Sequence, residues 1–338
     1  MTVPPSSSWT NEAWRTGPTP CLSVVFPTYR RLDTLGCVLD ALAAQTELAP
    51  GAIEIVVCDD ASGDTTPQVL REASTRMPHP MACLSLAQQG GPARARNAAL
   101  QLVRAPVVLL LGDDILPPPD LVARHVAWHA AHPGPTEALL GYTTWAETPP
   151  PNALMRWLQD GGRQFAFNYR DLTADRPVSG YFFYTCHVSF KGSLLKQAGG
   201  FDEAFPFPSQ EDLDLGLRME REGMRLHYDP TLVAYHRHWM DLPSVSRRVY
   251  RNGYCSVRFW STGVRPSSTA RALARRALYA FFAFPPLRRL CRWLPDRTDP
   301  EFRHTRALRW TIMLLAIYWS GAADAARGRK PVPEELIG

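Results

Sequence analysis

Apolar residues fall into two rhythms along this chain. Stretches 22–26, 53–58 and 107–111 are near-continuous apolar runs, as expected of strands buried on both faces. Pro27 predicts an end to the first of them. Between the runs the spacing turns helical. Leu35, Val38, Leu39 and Leu42 mark a helix over 33–45, with Asp33 as its candidate cap. Stretches 66–75, 92–103 and 120–131 also read as helices, and Pro92 suits a first turn. This alternation predicts a parallel sheet covered by helices. After Pro133 the pattern loosens. Residues 145–180 are loop-rich, 181–190 read as a strand, and 193–198 as a short helix ended by Gly199-Gly200. A helix over 211–222 stops at Gly223, and from Val245 the chain is helical and basic. The charge-free run 310–323 falls short of the roughly 20 apolar residues of a spanning helix, so a buried or interfacial helix is expected.

Acidic residues stand where the strands should end. Asp59-Asp60 follow the second run and Asp113-Asp114 the third; Glu211-Asp212 and Asp214 open a helix; His236 and His238 follow a short apolar stretch. Open α/β sheets bind ligands outside the carboxyl ends of their strands, so these groups can converge on one crevice. Carboxylate oxygens suit Mg²⁺ or Mn²⁺ holding a diphosphate, and a further carboxylate can act as a general base. Arg30, Arg94 and Arg96 offer guanidinium groups that match phosphate geometry. Each has a plainer alternative: a polar loop for Asp113-Asp114, a turn cap for Asp59-Asp60, a helix-dipole acid for Glu211-Asp212, a structural histidine, a surface arginine.

Composition adds a partner question. The chain is 45% hydrophobic with net charge +5, and the excess of arginine lies within 247–309. That asymmetry points to an anionic partner: a lipid surface, a phosphate-bearing substrate or nucleic acid. Arg271, Arg275, Arg276, Arg288, Arg289 and Arg292 interleave with Leu278, Tyr279, Phe281, Phe282, Phe284 and Leu287, which reads as an element lying on an anionic membrane. No nucleic-acid-binding motif accompanies the charge, so no nucleic acid partner is expected. Seven scattered cysteines without a Cys-x-x-Cys pair argue against a zinc site or disulfide framework and fit a reducing cytosol. Residues 1–20 are rich in Pro, Ser and Thr and lack an apolar core, so a disordered lead without a secretory signal is expected. A haloacid-type phosphatase would carry Asp-x-Asp-x-Thr after its first strand, and a dinucleotide-dependent oxidoreductase Gly-x-Gly-x-x-Gly; neither is present.

The motifs resemble, in order and spacing, those of family 2 glycosyltransferases over about 22–238. Pro27-Thr28-Tyr29-Arg30-Arg31 is similar to that family's Pro-x-Tyr-Asn-Arg, with Arg30 in place of Asn. Asp59-Asp60-Ala61-Ser62 resembles Asp-Asp-Gly-Ser. Gly91 to Asn97 resembles the approach to Ala-Arg-Asn, and Gly199-Gly200-Phe201-Asp202-Glu203 the acceptor-side motif. The family's Asp-x-Asp falls on Gly112, Asp113 and Asp114, so its first acid is missing. The resemblance implies a GT-A type nucleotide-sugar-binding α/β domain over 21–240, with a mixed, mostly parallel sheet flanked by helices and a basic helical extension over 241–338. It implies inverting transfer from a nucleotide-diphosphate sugar, most simply a UDP-sugar, to a glycan or lipid-linked hydroxyl, in the cytoplasm or on the inner face of the plasma membrane. Asp212 would be the base and Asp214 a solvated helix residue. Asp114 and one histidine, His236 by preference over His238, would hold Mg²⁺ or Mn²⁺. Pro27, Thr28, Tyr29, Arg30, Asp59, Asp60, Arg96 and Asp113 would contact the donor. The alternatives are a sugar-nucleotide-binding module without catalysis, which Gly112 favours, and another metal-dependent phosphate or nucleotide enzyme.

Overall fold

The computed structural model describes residues 5–160, 169–263 and 303–331, with Ala274 and Ala277 between. Its strands are β1 Pro5–Thr10, β2 Leu22–Thr28, β3 Ile53–Asp59, β4 Met81–Leu86, β5 Val107–Leu111, β6 Ile115–Leu116, β7 Glu137–Trp145, β8 His187–Lys191 and β9 Arg225–His236. Its helices are α1 Glu12–Thr16, α2 Leu32–Ala43, α3 Thr66–Arg76, α4 Gly91–Leu100, α5 Leu121–Ala131, α6 Ala153–Asp160, α7 Gly192–Ala198, α8 Glu211–Arg221, α9 Leu242–Ser261 and α10 Arg303–Ala326.

All nine strands form one mixed sheet in the order β1-β4-β3-β2-β5-β8-β7-β9-β6. The run β4-β3-β2-β5 is parallel, as is β7-β9; β1, β8 and β6 pair antiparallel with their neighbours. The chain winds outward from β2 to β4, then returns to place β5 on the other side of β2. That reversal makes a switch point, and a crevice, at the carboxyl ends of β2, β3 and β5. The unbroken apolar runs follow from two cores. Leu22, Val24 and Phe26 of β2 pack with Leu35 and Val38 of α2, Leu70 of α3 and Leu121 of α5. Val25, Val56 and Leu110 point the other way, to Ala95 of α4, Leu194 of α7, and Leu215 and Met219 of α8.

Several expectations need correction. Pro27 does not stop β2, which runs to Thr28. The ladder to β5 ends at Val25, so the proline nitrogen falls where no β5 partner is needed. Asp33 lies inside the first turn of α2, behind Arg31 at the cap. Of the strand expected over 181–190 only 187–190 is strand, which runs on to Lys191; Gly180–Phe182 form a 3₁₀ turn. Residues 5–17 are not a disordered lead. β1 covers the edge of β4, and Asn11 pins the turn after it, donating to His79 O (2.9 Å) and accepting from the N–H groups of Trp14 and Met81 (3.0 Å each). Trp14 is held in turn by Arg104, whose guanidinium lies 3.9 Å from its ring while Nε pairs with the buried Glu54 at 2.7 Å. Removing one partner of such a buried pair costs about 3–5 kcal/mol.

The described residues divide into two compact units. One comprises those of Met1–Pro151, Leu158–Ala204 and Glu211–Trp239; the other those of Asn152–Trp157, Phe205–Gln210 and Met240–Gly338. In the second, α9 and α10 cross at two glycines: a Cβ on Gly253 would lie 1.8 Å from Tyr318 O, and one on Gly321 2.1 Å from Tyr250 O. Tyr250 Oη donates to the buried Asp324 at 2.9 Å. No helix among the described residues is long and apolar enough to cross a membrane. The arginine-aromatic stretch from Arg271 to Arg292 lies outside the described residues.

Candidate functional site

Asp59 ends β3 and Asp60 follows it, and both are buried. Asp59 Oδ1 accepts from Ser62 N at 3.1 Å, and Ser62 Oγ accepts from Arg30 N at 2.9 Å, so the ends of β2 and β3 are tied together. Asp60 spends one oxygen on Gly90 N and the other on Gly91 N, both at 2.8 Å. Burial pushes its carboxyl up, against those two N–H groups and Arg94. Each carboxylate oxygen keeps a further lone pair for a ligand. Ala61, where the resembling motif has glycine, adopts φ +59, the left-handed region that glycine enters most easily.

Asp113 and Asp114 follow β5. Asp113 is pushed up to about 7, first by burial and then by the Asp114 charge, with Arg31 and the Thr28 hydroxyl opposing. Asp114 is buried, not at a solvated strand end. Burial alone would raise it, but the charge and hydrogen bond of His236, with the Arg31 charge, hold it well below the usual carboxylate range. The register of β6 on β9 explains the meeting: Ile115 pairs with His236, and Arg237 N donates to Asp114 O at 2.7 Å. His236 Nε2 then lies 3.0 Å, and His238 Nδ1 3.5 Å, from Asp114 Oδ2. The three donor atoms lie within 4.8 Å of one another, a set that fits a divalent cation. Both histidines therefore join Asp114, where the sequence singled out one. Trp145 of β7 pairs with His236 in the ladder and stacks on it at 5.6 Å.

Gly112 accounts for the missing first acid. A Cβ there would stand 2.8 Å from Asp114 Oδ1 and 3.0 Å from an Ile115 side-chain carbon. A side chain at 112 would push against the remaining carboxylate.

The acidic helix start is built by two motifs that lie far apart in sequence. Asn97 clasps Phe201, donating to its carbonyl and accepting from its N–H at 2.9 Å each, and also donates to Glu203 at 2.8 Å. Arg96 lies over the Phe201 ring at 5.4 Å and pairs with the buried Glu211 at 2.9 Å. One arm of Arg96 is thus committed to Glu211. Asp212 is pushed up to about 7, first by burial and then by the Glu211 charge; Arg96 and the N–H groups of Leu213 and Thr185 oppose. Cys186 follows Thr185. Its thiol is pushed up to about 12, mainly by burial, and the charges of both Asp212 and Asp114 add to the shift. Both charges therefore act on the Cys186 thiol. Asp214 is not solvated: it is 1% exposed and accepts from Arg218 Nε at 2.9 Å.

Sequence reasoning passed over Trp145, Thr185, Cys186 and the contacts of Arg31. The first three sit in segments it left as loop or misplaced as strand, so nothing aimed them at the site.

A mixed sheet thus carries a carboxylate–imidazole cluster and a perturbed acid at its strand ends. Residues 23–135 match the family model "Glycosyl transferase family 2". Over those residues the chain is similar to that family, and its fold is of the GT-A type. It is 34% identical over 227 residues to validoxylamine A glucosyltransferase of Streptomyces hygroscopicus subsp. limoneus, covering 61% of this chain and 49% of that protein. It is 32% identical over 110 residues to an undecaprenyl-phosphate 4-deoxy-4-formamido-L-arabinose transferase of Pseudomonas fluorescens, covering 32% of each. The chain spans about half the length of the two validoxylamine A glucosyltransferases it matches, 49% and 52%. In structure it is similar to the mannosyltransferase PcManGT of Pyrobaculum calidifontis, solved with GDP-Man and Mn²⁺: TM-score 0.62, 19% identity, 93% of this chain and 89% of that one. TarS 1-349 of S. aureus, solved with UDP-GlcNAc, gives TM-score 0.53 at 18% identity, over 91% and 92%.

Proposed function

We propose that this protein transfers a sugar from a nucleotide-diphosphate sugar to an acceptor hydroxyl, inverting the anomeric carbon. The observation that carries the reading is the cluster of Asp114, His236 and His238 at the strand ends, its donor atoms within 4.8 Å of one another. Asp114 belongs to that cation-type cluster, and Asp212, raised to about 7, suits a general base for displacement from a diphosphate.

In this reading Asp212 takes the proton of the acceptor hydroxyl as it attacks. An acid raised to about 7 holds a proton more tightly than an ordinary carboxylate, yet stays largely ionised in mildly alkaline solution. The N–H groups of Leu213 and Thr185 orient it. Pro27, Thr28, Tyr29, Arg30, Asp59, Asp60 and Asp113 line the strand ends for the donor, and Arg96 acts on Asp212 through Glu211. Asp114, His236 and His238 would hold the metal, which would neutralise charge on the departing diphosphate. A mixed oxygen and imidazole set favours Mn²⁺ over Mg²⁺, which prefers oxygens.

Complexes of the structural neighbours with GDP-Man and with UDP-GlcNAc support a nucleotide-sugar donor and leave the base open between uracil and guanine. Relatives named as a glucosyltransferase and as undecaprenyl-phosphate transferases support a glycan or lipid-linked acceptor. Peripheral contact with an anionic membrane on its cytoplasmic face belongs to the same proposal, supported by the arginines between Arg271 and Arg292. The test is nucleoside diphosphate release from UDP- and GDP-sugars with Mn²⁺. Release from one class is expected; none from either would refute the proposal.

A further inference from the structure

The cluster of Asp114, His236 and His238 already shares a cation, the guanidinium of Arg31. Its NH2 lies 3.4 Å from Asp114 Oδ2, and its NH1 donates to His238 Nδ1 at 2.8 Å. His238 Nδ1 is also the atom that faces Asp114, at 3.5 Å. An acceptor nitrogen of imidazole has one lone pair. It cannot accept from a guanidinium and bind a metal at once. Arginine does not give up its proton in proteins, so Arg31 cannot leave the cluster by becoming neutral. It must move. The side chain is 32% exposed and springs from the cap of α2, so its stem has room to swing while its backbone stays fixed.

We propose that Arg31 is an exchange cation: it holds Asp114 and His238 in the ligand-free protein and passes to the donor diphosphate when a divalent metal takes its place. This rests on the donor-site reading above. The guanidinium fork fits phosphate oxygens as well as it fits a carboxylate, so the diphosphate gives the displaced arginine a destination. Metal binding alone must evict a positive charge into water. Metal and diphosphate together move that charge from one anion to another. The two ligands therefore favour each other, and by linkage the coupling is equal in both directions.

The test is Mn²⁺ binding to the full chain, read from the electron paramagnetic resonance of free Mn²⁺, without nucleotide and then with UDP or GDP. Arg31→Gln removes the charge and should bind Mn²⁺ alone about tenfold tighter than wild type. The same variant should lose about tenfold of the tightening that UDP or GDP confers. Arg31→Lys keeps the charge but cannot bridge two acceptors with a fork, and should tighten Mn²⁺ alone by a smaller factor. If wild type binds Mn²⁺ and neither variant binds it tighter, Arg31 is no exchange cation. If wild type takes up no Mn²⁺ even with UDP and GDP, the metal site itself falls, and the role of Arg31 with it.

Discussion

Replacing Glu211 with Gln should move the acid limb of the pH–rate profile to lower pH. Asp212 is raised to about 7 by burial and then by the charge of its neighbour Glu211. At an effective dielectric of about 20, a unit charge close by is worth up to about 4 kcal/mol, or about three pKa units. Arg96, 2.9 Å from Glu211, cancels most of that field. Removing Glu211's charge while Arg96 stays should therefore lower Asp212 by about one unit, to about 6. A base works ionised, so on the proposed role of Asp212 activity is lost as pH falls through its pKa, and the variant should keep activity about one unit further into acid. Asp113 also lies at about 7, but burial and Asp114 put it there, so this substitution leaves it in place. Asp212→Asn provides the baseline: turnover down about 10²–10⁴-fold with donor affinity kept. The assay is the initial rate of nucleoside diphosphate release over about two pH units either side of 7. A limb that stays put in Glu211→Gln, or moves upward, would refute Asp212 as the base.

Gly216→Ala tests the seat of the same helix. Alanine in an exposed helix is about 1 kcal/mol better than glycine. Here its Cβ would lie 2.1 Å from Gly180 O and 2.3 Å from Phe183 Cβ, so a loss of about 1–3 kcal/mol is expected in thermal melts, and a gain would contradict the packing. The buried histidines predict acid lability. His125, His129 and His187 share hydrogen bonds of 2.8–3.0 Å with Ser189 and with one another. Burial first, and neighbouring positive charge in part, holds His125 well below its ordinary value, His129 at about 3 and His187 at about 4. Their folded pKa values lie below the unfolded one, so the unfolded chain gains protons first and stability falls as pH drops below about 6.5. One unit below, the three together cost on the order of 4 kcal/mol, and a thermal midpoint unchanged between about pH 7.5 and 5.5 would contradict this.

Strands buried on both faces were legible in the sequence because each residue pays out apolar surface to one core or the other; β2, β3 and β5 announced themselves in that way. β4 did not, although every residue of Met81–Leu86 is buried, because Ala, Cys and Ser lack the branched side chains that signal a strand. β7 was hidden by Gly141, whose place is set by a neighbour: a Cβ there would lie 2.0 Å from the His187 ring. β1 is a polar edge strand whose structure comes from pairing with β4, which no local pattern records. At the site, residue types ending strands were readable, but partners were not. Asp214 looked like a solvated helix acid because its partner Arg218 is one of several arginines in that stretch. The joining of His236 and His238 depends on the register of β6 against β9, a contact between segments more than a hundred residues apart.

The central claim is that Asp114 and its two histidines hold a metal that binds the donor's diphosphate. Calorimetric titration of UDP and GDP into the protein, with Mn²⁺ and then with chelator, tests it most directly, alongside Asp114→Asn, which keeps the side-chain shape. Binding of one nucleotide that needs Mn²⁺, and that is lost in a folded Asp114→Asn variant, is the predicted result. Equal binding with chelator, or by the variant, would contradict it.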